Sequence, residues 1–175
     1  MLYLAYGSNL HPLRLQERVP SATPVGVVRL DGYQMRFAKK SHDGSGKCMI
    51  VPAQGDAPVV FGAIFEIEAG EKPLLDTVEG KGVGYEDCPL SCELAGESIS
   101  PFTYLAQEAY IDEALMPYRW YLEMVVEGAK YQGFPSWYVA MLAQVSSISD
   151  PDAARHRENQ ARVTRMLACN QQRLR

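Results

Sequence analysis

The chain has 175 residues, of which 47% are hydrophobic and 22% charged, and its formal net charge is −4. This length and composition are typical of one globular domain that can bury a sizeable core. The mild negative charge excludes a general nucleic-acid binder, and no apolar stretch approaches the roughly 20 residues that span a bilayer. We also expect no signal peptide, so the sequence predicts a cytoplasmic protein with no nucleic-acid or membrane partner.

The first part of the chain is predicted to form mainly strands. Their ranges are 1–5, 25–30, 33–38, 48–51, 59–67, 85–93 and 98–106, identified from β-branched and aromatic runs between turn residues. Asp31-Gly32 predicts a hairpin that would pair the second strand with the third. Residues 39–47 are predicted to be a polar surface loop.

Helical spacing predicts helices over 12–18, 71–78, 118–129, 135–145 and from 152 onward. Pro12 and Pro73 suit the first turn of their helices, where a missing N–H costs nothing. Gly80, Gly82 and Gly84 predict an irregular loop that allows a close approach of the chain. Because strands come first and helices gather late, we expect an α+β fold.

The C-terminal part is predicted to be a separate element. We divide the chain into a domain over 1–148 and a helical extension over 149–175, packed on or beside that domain. The extension carries six arginines. A solvated helix face is the default expectation, and the alternative is that its apolar stripe, Val163, Met166 and Leu167, faces the domain or a second subunit.

The cysteines and histidines form no recognisable metal-binding spacing. Cys88 and Cys92 are predicted to share one strand at a separation of about 13 Å, which is too far for a disulfide. Cys48 and Cys169 have no neighbour that suggests a bridge. We therefore expect free thiols and no structural metal.

The most informative segment is Tyr6-Gly7-Ser8-Asn9-Leu10, between the first strand and the helix at Pro12. A tight glycine turn before a helix would bring several main-chain N–H groups to one place. Such a place attracts a carboxylate, a phosphate or a developing oxyanion. From geometry alone, an ordinary strand-turn-helix start fits equally well.

The amino-acid sequence of this loop resembles the signature loop of the γ-glutamylcyclotransferase (AIG2-like) family. Further matches follow in family order at 75–80, Tyr85, 103–105, 117–121, 128–130, 133–135 and Tyr138, and they span roughly residues 1–145. The resemblance implies a small, mostly closed mixed β-barrel with peripheral helices and a C-terminal helical tail. It also implies a small-molecule γ-glutamyl substrate, no cofactor, and a monomer or homodimer.

The family reaction converts a γ-glutamyl amine or amino acid into 5-oxoproline and releases the free amine. The substrate's own α-amino group attacks its γ-carbonyl, so the protein needs no nucleophile or metal. The resemblance assigns Glu79 as the general acid/base, a role typically worth about 10²–10⁴-fold in rate. Leu74, Leu75 and Val78 are predicted to surround its carboxylate with apolar groups. An exposed glutamate at a helix end is the alternative.

The remaining site residues are predicted to bind the γ-glutamyl group. Main-chain N–H groups of the loop would hold its α-carboxylate, its polarised γ-carbonyl, or both, and tyrosines would line the pocket. By resemblance, the substrate-binding residues are Tyr6, Gly7, Ser8, Asn9, Leu10, Tyr85, Tyr104 and Tyr121.

Two alternatives stay open. The first is the same chemistry on glutathione, a γ-glutamyl-ε-lysine or a γ-glutamylated biosynthetic intermediate, which the leaving-group pocket would decide. The second is a non-catalytic γ-glutamyl-binding module. Glu79 counts against the second alternative, because a buried carboxylate costs desolvation and gives a mere binder little benefit.

Overall fold

A computed structural model describes residues 1–53, 55 and 58–173 of the chain. The strands in this part are β1 (Leu2–Ala5), β2 (Thr23–Asp31), β3 (Tyr33–Lys40), β4 (Gly46–Pro52), β5 (Val59–Glu66), β6 (Tyr85–Pro89), β7 (Cys92–Leu94), β8 (Glu97–Ile99) and β9 (Phe102–Ala106). The α-helices are α1 (Pro12–Gln16), α2 (Lys72–Glu79), α3 (Arg119–Tyr131), α4 (Ser136–Ala143) and α5 (Ala153–Arg173).

Strand β1 lies at the centre of a five-stranded mixed sheet with the order β2-β5-β1-β9-β6. It pairs antiparallel with β5 and parallel with β9. Its residues Tyr3, Leu4 and Ala5 are buried, so the segment that follows them starts inside the protein. The α+β fold is confirmed. The strand pairing of the described residues does not close the sheet, so the predicted barrel closure is not confirmed.

The predicted hairpin at Asp31-Gly32 is wrong. Strand β2 pairs with β5, with Asp31 opposite Val59, whereas β3 pairs with β4 in a separate two-stranded sheet. Gly32 donates its N–H to the carbonyl of Pro58, and its own carbonyl accepts from the N–H of Ala53. The chain therefore turns at Gly32 but passes from one sheet to the other, because a turn signal shows where a chain bends and not which strands pair.

The predicted surface loop over 39–47 is shorter in the structure. Residues 39 and 40 extend β3, residues 46 and 47 begin β4, and only 41–45 connect them. Lys39 and Ser45 are buried. The polar composition of this stretch was misleading, because its buried polar groups contact aromatic rings and Asp43 instead of solvent.

Two of the predicted strands are each divided in two. The range 85–93 becomes β6 and β7, and 98–106 becomes β8 and β9, so Cys88 and Cys92 lie on different strands. Pro89 and Pro101, which lack an N–H, mark the breaks in the pairing, and Leu90 donates to the carbonyl of Pro101. All four cysteines are free thiols.

The five predicted helices are confirmed, with Pro12 and Pro73 in the first turns of α1 and α2. Helix α3 supplies much of the helical core, and α5 packs against it through Val163 and Met166, each 1% exposed. Two residues of the predicted stripe therefore face this chain's own core, which corrects the expectation of a solvated helix face, whereas Leu167 is exposed. The boundary at residue 148 stays a prediction. Within the described range, no helix has the length and apolar character needed to cross a membrane.

Candidate active site

The loop after β1 is one turn of 3-10 helix, Ser8–Leu10, preceded by Gly7. We expected the N-terminus of α1 to face the site. Instead, His11 caps that helix, since its Nδ1 accepts from the N–H of Leu13 at 3.2 Å. The N–H groups of Ser8 and Asn9 have no acceptor among the described residues. The 3-10 turn, not α1, therefore offers the main-chain donors.

Leu10 points away from the rest of the loop and into the core. Its side chain is fully buried, and its carbonyl accepts from Gln132 Nε2 at 2.6 Å. A Cβ built on Gly128 of α3 would lie 2.6 Å from Leu10 Cβ, so only glycine allows this contact. Leu10 thus anchors the loop on α3, and as a substrate contact it has no support from the geometry.

Helix α2 ends at Glu79 and places its carboxylate beside the loop. Gly80 terminates the helix in the left-handed conformation, with φ of 72°. Glu79 Oε1 accepts from Asn9 Nδ2 at 2.9 Å and from Arg18 Nη1 at 2.6 Å. Oε2 has no hydrogen-bond donor within the part of the chain that the structure describes. One carboxylate oxygen is therefore held in place, while the other is available to a ligand.

Arg18 and Tyr3 extend this network, and sequence reasoning missed both. Arg18 Nη1 also donates to Asn9 Oδ1 at 2.8 Å, and Asn9 Nδ2 donates to the hydroxyl of Tyr3 at 3.0 Å. No motif marks Arg18, which follows α1 and joins the site only through its contacts with Asn9 and Glu79. The loop, the carboxylate and the segment after α1 are thereby tied together.

The apolar surroundings predicted for the Glu79 carboxylate are present only in part. Leu74 is 51% exposed and Val78 49% exposed, and only Leu75 is buried. Leu75 therefore faces the core and Leu74 faces solvent, while the half-exposed Val78 lines a cavity together with Glu79. The hydrogen bonds to the carboxylate come from Asn9 and Arg18.

A narrow cavity of about 30 Å³ lies between the loop and Glu79. All of the predicted site residues except Leu10 line it, together with Tyr3, Cys48 and Thr103. The full lining is Tyr3, Tyr6, Gly7, Ser8, Asn9, Cys48, Glu79, Tyr85, Thr103, Tyr104 and Tyr121.

Most tyrosine hydroxyls around this cavity are held by the protein. Tyr6 donates to the carbonyl of Tyr104, Tyr104 to Asp76 Oδ1 at 2.6 Å, and Tyr85 to the carbonyl of Cys48 at 2.5 Å. Tyr121 accepts from the N–H of Cys48 at 3.1 Å, so its own O–H can still donate to a ligand. Burial raises the pKa of Tyr121 well above its ordinary value, which keeps that proton in place.

Cys48 lines the cavity as a neutral thiol. It is buried, and burial raises the pKa of its thiol to about 12. Because the thiolate is the nucleophilic form, this cysteine is not an activated nucleophile near neutral pH. It also limits the space at Gly7, where an added Cβ would lie 3.0 Å from Cys48 Cβ.

A wider cavity of about 220 Å³ adjoins the narrow one and shares Ser8, Glu79, Tyr85 and Tyr121 with it. Its other lining residues are Arg14, Arg18, Lys39, Ser41, Asp43, Lys47, Val78 and Trp120. Glu79 therefore stands where the two cavities meet. Sequence reasoning missed the four basic residues.

Lys39 reaches this cavity across the glycine loop. Gly80, Gly82 and Gly84 all have positive φ, which confirms the predicted irregular loop. A Cβ on Gly84 would lie 2.6 Å from Lys39 Cε, so the missing side chain makes room for the lysine. The Lys39 ammonium lies 4.4 Å from the centre of the Tyr85 ring.

The described residues contain no group of three or more His, Cys, Asp and Glu side chains that could hold a metal ion. The predicted absence of a cofactor stays a prediction.

The chain is similar to known proteins in both sequence and fold. Residues 59–142 match the model of the AIG2-like family. A γ-glutamylcyclotransferase of Bos taurus is 28% identical over 149 residues, which cover 82% of this chain and 78% of the bovine protein. A γ-glutamylcyclotransferase of Homo sapiens is 29% identical over 152 residues, with the same coverage of each chain.

A solved structure of a γ-glutamyl cyclotransferase has the same fold. It superposes with a TM-score of 0.81 at 25% identity, over 94% of this chain and 98% of the other. These comparisons confirm the resemblance of this chain to the γ-glutamylcyclotransferase (AIG2-like) family.

Proposed function

We propose that this protein is a γ-glutamylcyclotransferase-type enzyme that cyclises a γ-glutamyl amine or amino acid to 5-oxoproline and releases the free amine, with Glu79 as the general acid/base. One observation carries the proposal. The Glu79 carboxylate and the main chain of Gly7, Ser8 and Asn9 line the same cavity. The similarity of the chain to known γ-glutamylcyclotransferases supports it independently.

Two protons must move in this reaction. The substrate's α-ammonium loses two protons as its nitrogen attacks the γ-carbonyl carbon and becomes the lactam N–H. The departing nitrogen gains two as its bond to that carbon breaks, and it leaves as an ammonium ion. Glu79 Oε2, which no described residue occupies, can carry each proton in turn. No water is consumed.

We propose that the two halves of the substrate occupy the two cavities, with Glu79 at the junction. The narrow cavity of about 30 Å³ is larger than the roughly 10–15 Å³ that one ordered water needs, and it lies against the loop. We assign it to the substrate's α-carboxylate, opposite the free N–H groups of Ser8 and Asn9. The scissile amide then lies beside Glu79, and the leaving group extends into the wider cavity. Holding the chain folded in this way supplies the large advantage of intramolecular attack, roughly 10⁵–10⁸ M in effective molarity.

Arg18 acts as a positioning residue in this scheme. It does not need to touch the substrate, because it holds Glu79 Oε1 and Asn9 Oδ1 with one nitrogen. The loop donors and the proton carrier are thereby fixed relative to each other.

The variant Glu79→Gln tests the proposal. The amide oxygen can still accept from Asn9 and Arg18, so folding should be preserved while proton transfer is lost. The assay incubates each protein with a panel of γ-glutamyl amides and detects 5-oxoproline by mass spectrometry. We expect the rate of 5-oxoproline release to fall by about 10²–10⁴-fold in the variant.

The matched control is Glu68→Gln, an exposed glutamate before α2, which should leave turnover unchanged. Turnover close to that of the unmodified protein in Glu79→Gln would remove Glu79 from the mechanism. Binding without any 5-oxoproline release by the unmodified protein would favour the non-catalytic module.

The cytoplasmic location, the lack of nucleic-acid and membrane partners, and the monomeric or homodimeric state belong to this proposal. So does the helical extension over 149–175 as a unit distinct from the domain over 1–148.

A further inference from the structure

The wider cavity contains an excess of positive charge. Four basic and two acidic side chains line it, namely Arg14, Arg18, Lys39, Lys47, Asp43 and Glu79. Two of the bases are neutralised within the cavity, because Arg18 pairs with Glu79 at 2.6 Å and Lys47 with Asp43 at 2.7 Å. Within the described residues, neither Arg14 nor Lys39 forms an ion pair.

These two cations are also shielded from solvent. Lys39 is 6% exposed, and the Nε of Arg14 is buried with no hydrogen-bond partner in the described chain. Burial lowers the pKa of both side chains, to about 9 for Arg14. Nearby Arg18 and Arg162 add like-charge repulsion at Arg14, which the more distant charge of Glu79 opposes only in part, as it does at Lys39.

Keeping an unpaired cation in such a place costs stability. Two of them in one cavity, beside the carboxylate that would transfer protons, indicate that a ligand supplies the missing negative charge. The α-carboxylate of the γ-glutamyl group already has donors in the narrow cavity. The negative charge that would pair with Arg14 and Lys39 must therefore come from the other half of the substrate.

We infer that the wider cavity is the leaving-group subsite, and that it selects a departing amine carrying two negative charges, held by Arg14 and Lys39. A dicarboxylic amino acid and a phosphorylated amine both have this chemistry. The inference rests on the proposed function, since Glu79 at the junction defines which half of the substrate leaves. A leaving group with an additional positive charge is disfavoured.

The first test varies the charge of the leaving group. The substrates are γ-glutamyl-aspartate, γ-glutamyl-alanine and γ-glutamyl-alaninamide, which differ by one negative charge at each step, together with γ-glutamyl-O-phosphoethanolamine. Each added charge should raise kcat/KM for 5-oxoproline release by roughly 10–100-fold. Comparison of the aspartate and phosphoethanolamine substrates distinguishes the two sources of the charge.

The second test uses variants of the two unpaired cations. Arg14→Gln and Lys39→Gln should each lower the ratio of kcat/KM for γ-glutamyl-aspartate to that for γ-glutamyl-alaninamide by roughly 10–100-fold. A merely misfolded variant loses activity on both substrates and leaves the ratio unchanged. Lys40→Gln, at the exposed position next to Lys39, is the matched control and should keep the ratio of the unmodified protein.

The outcomes separate the two proposals. Release of 5-oxoproline with similar kcat/KM for the aspartate, alanine and alaninamide substrates would overturn the subsite and leave the proposed function standing. An alanine substrate as good as the dianionic ones would overturn the requirement for two charges. No 5-oxoproline from any of the substrates would overturn both.

Discussion

The buried histidine beside the site loop makes a prediction about stability and pH. His11 follows the Ser8–Leu10 turn and is fully buried, with its ring 4.6 Å from that of Tyr131. Its Nδ1 accepts from the N–H of Leu13, which requires an unprotonated nitrogen. Burial lowers the pKa of His11 from 6.5 to about 4, and Asn170 and Glu127 only partly oppose this.

The direction of the pH effect on stability follows from the difference in proton binding between the unfolded and the folded state. In the unfolded chain His11 takes up a proton below about pH 6.5, but in the folded protein only near pH 4. Between these values the unfolded state binds more protons, so the free energy of unfolding falls as the pH falls. The full stability is present above pH 6.5. This difference in pKa lowers the free energy of unfolding by about 3 kcal/mol at pH 4.

The variant His11→Asn isolates this contribution, because asparagine can still cap α1 but does not titrate. Urea unfolding at several pH values between 7.5 and 4.5 measures the free energy of unfolding of both proteins. Carboxylates contribute equally to both, so the variant should lose less stability on acidification, by about 2–3 kcal/mol over this range. Equal losses in the two proteins would show that His11 is not buried in its neutral form.

Two further predictions concern the packing around the site and the tail. Gly128→Ala places a Cβ 2.6 Å from Leu10 Cβ and 3.0 Å from the N of His11. We expect a loss of about 1–3 kcal/mol in thermal unfolding and reduced 5-oxoproline release, and an unchanged melting temperature would contradict the close contact. Met166→Ala should cost about 2–5 kcal/mol in urea unfolding. Leu167→Ala, at a 38% exposed neighbour, is its control, and equal small effects would mean that α5 does not pack on α3.

Local signals in the sequence were sufficient for much of the fold. Helices α1 to α5 were predicted from apolar spacing, and Pro12 and Pro73 marked two of their first turns. These features depend on residues within a few positions of one another, so a single sequence contains them. The Tyr6–Leu10 loop and Glu79 were also recognised from short motifs, and the structure places the carboxylate beside the loop.

Features that depend on distant parts of the chain were not predictable in this way. Asp31-Gly32 marked a turn, but the partners of β2 and β3 were decided by β5 and β4, which arrive later. Leu10 matched the binding motif, yet packing against Gly128 directs it into the core. Arg14, Arg18 and Lys39 carry no motif, and they acquire a role only where α1, β3 and the glycine loop meet around Glu79. The sequence determines the chemical groups of each residue by itself. The charges around a residue depend on the tertiary structure, because they come from distant positions, as with Arg18 and Glu79 at a separation of 61 residues.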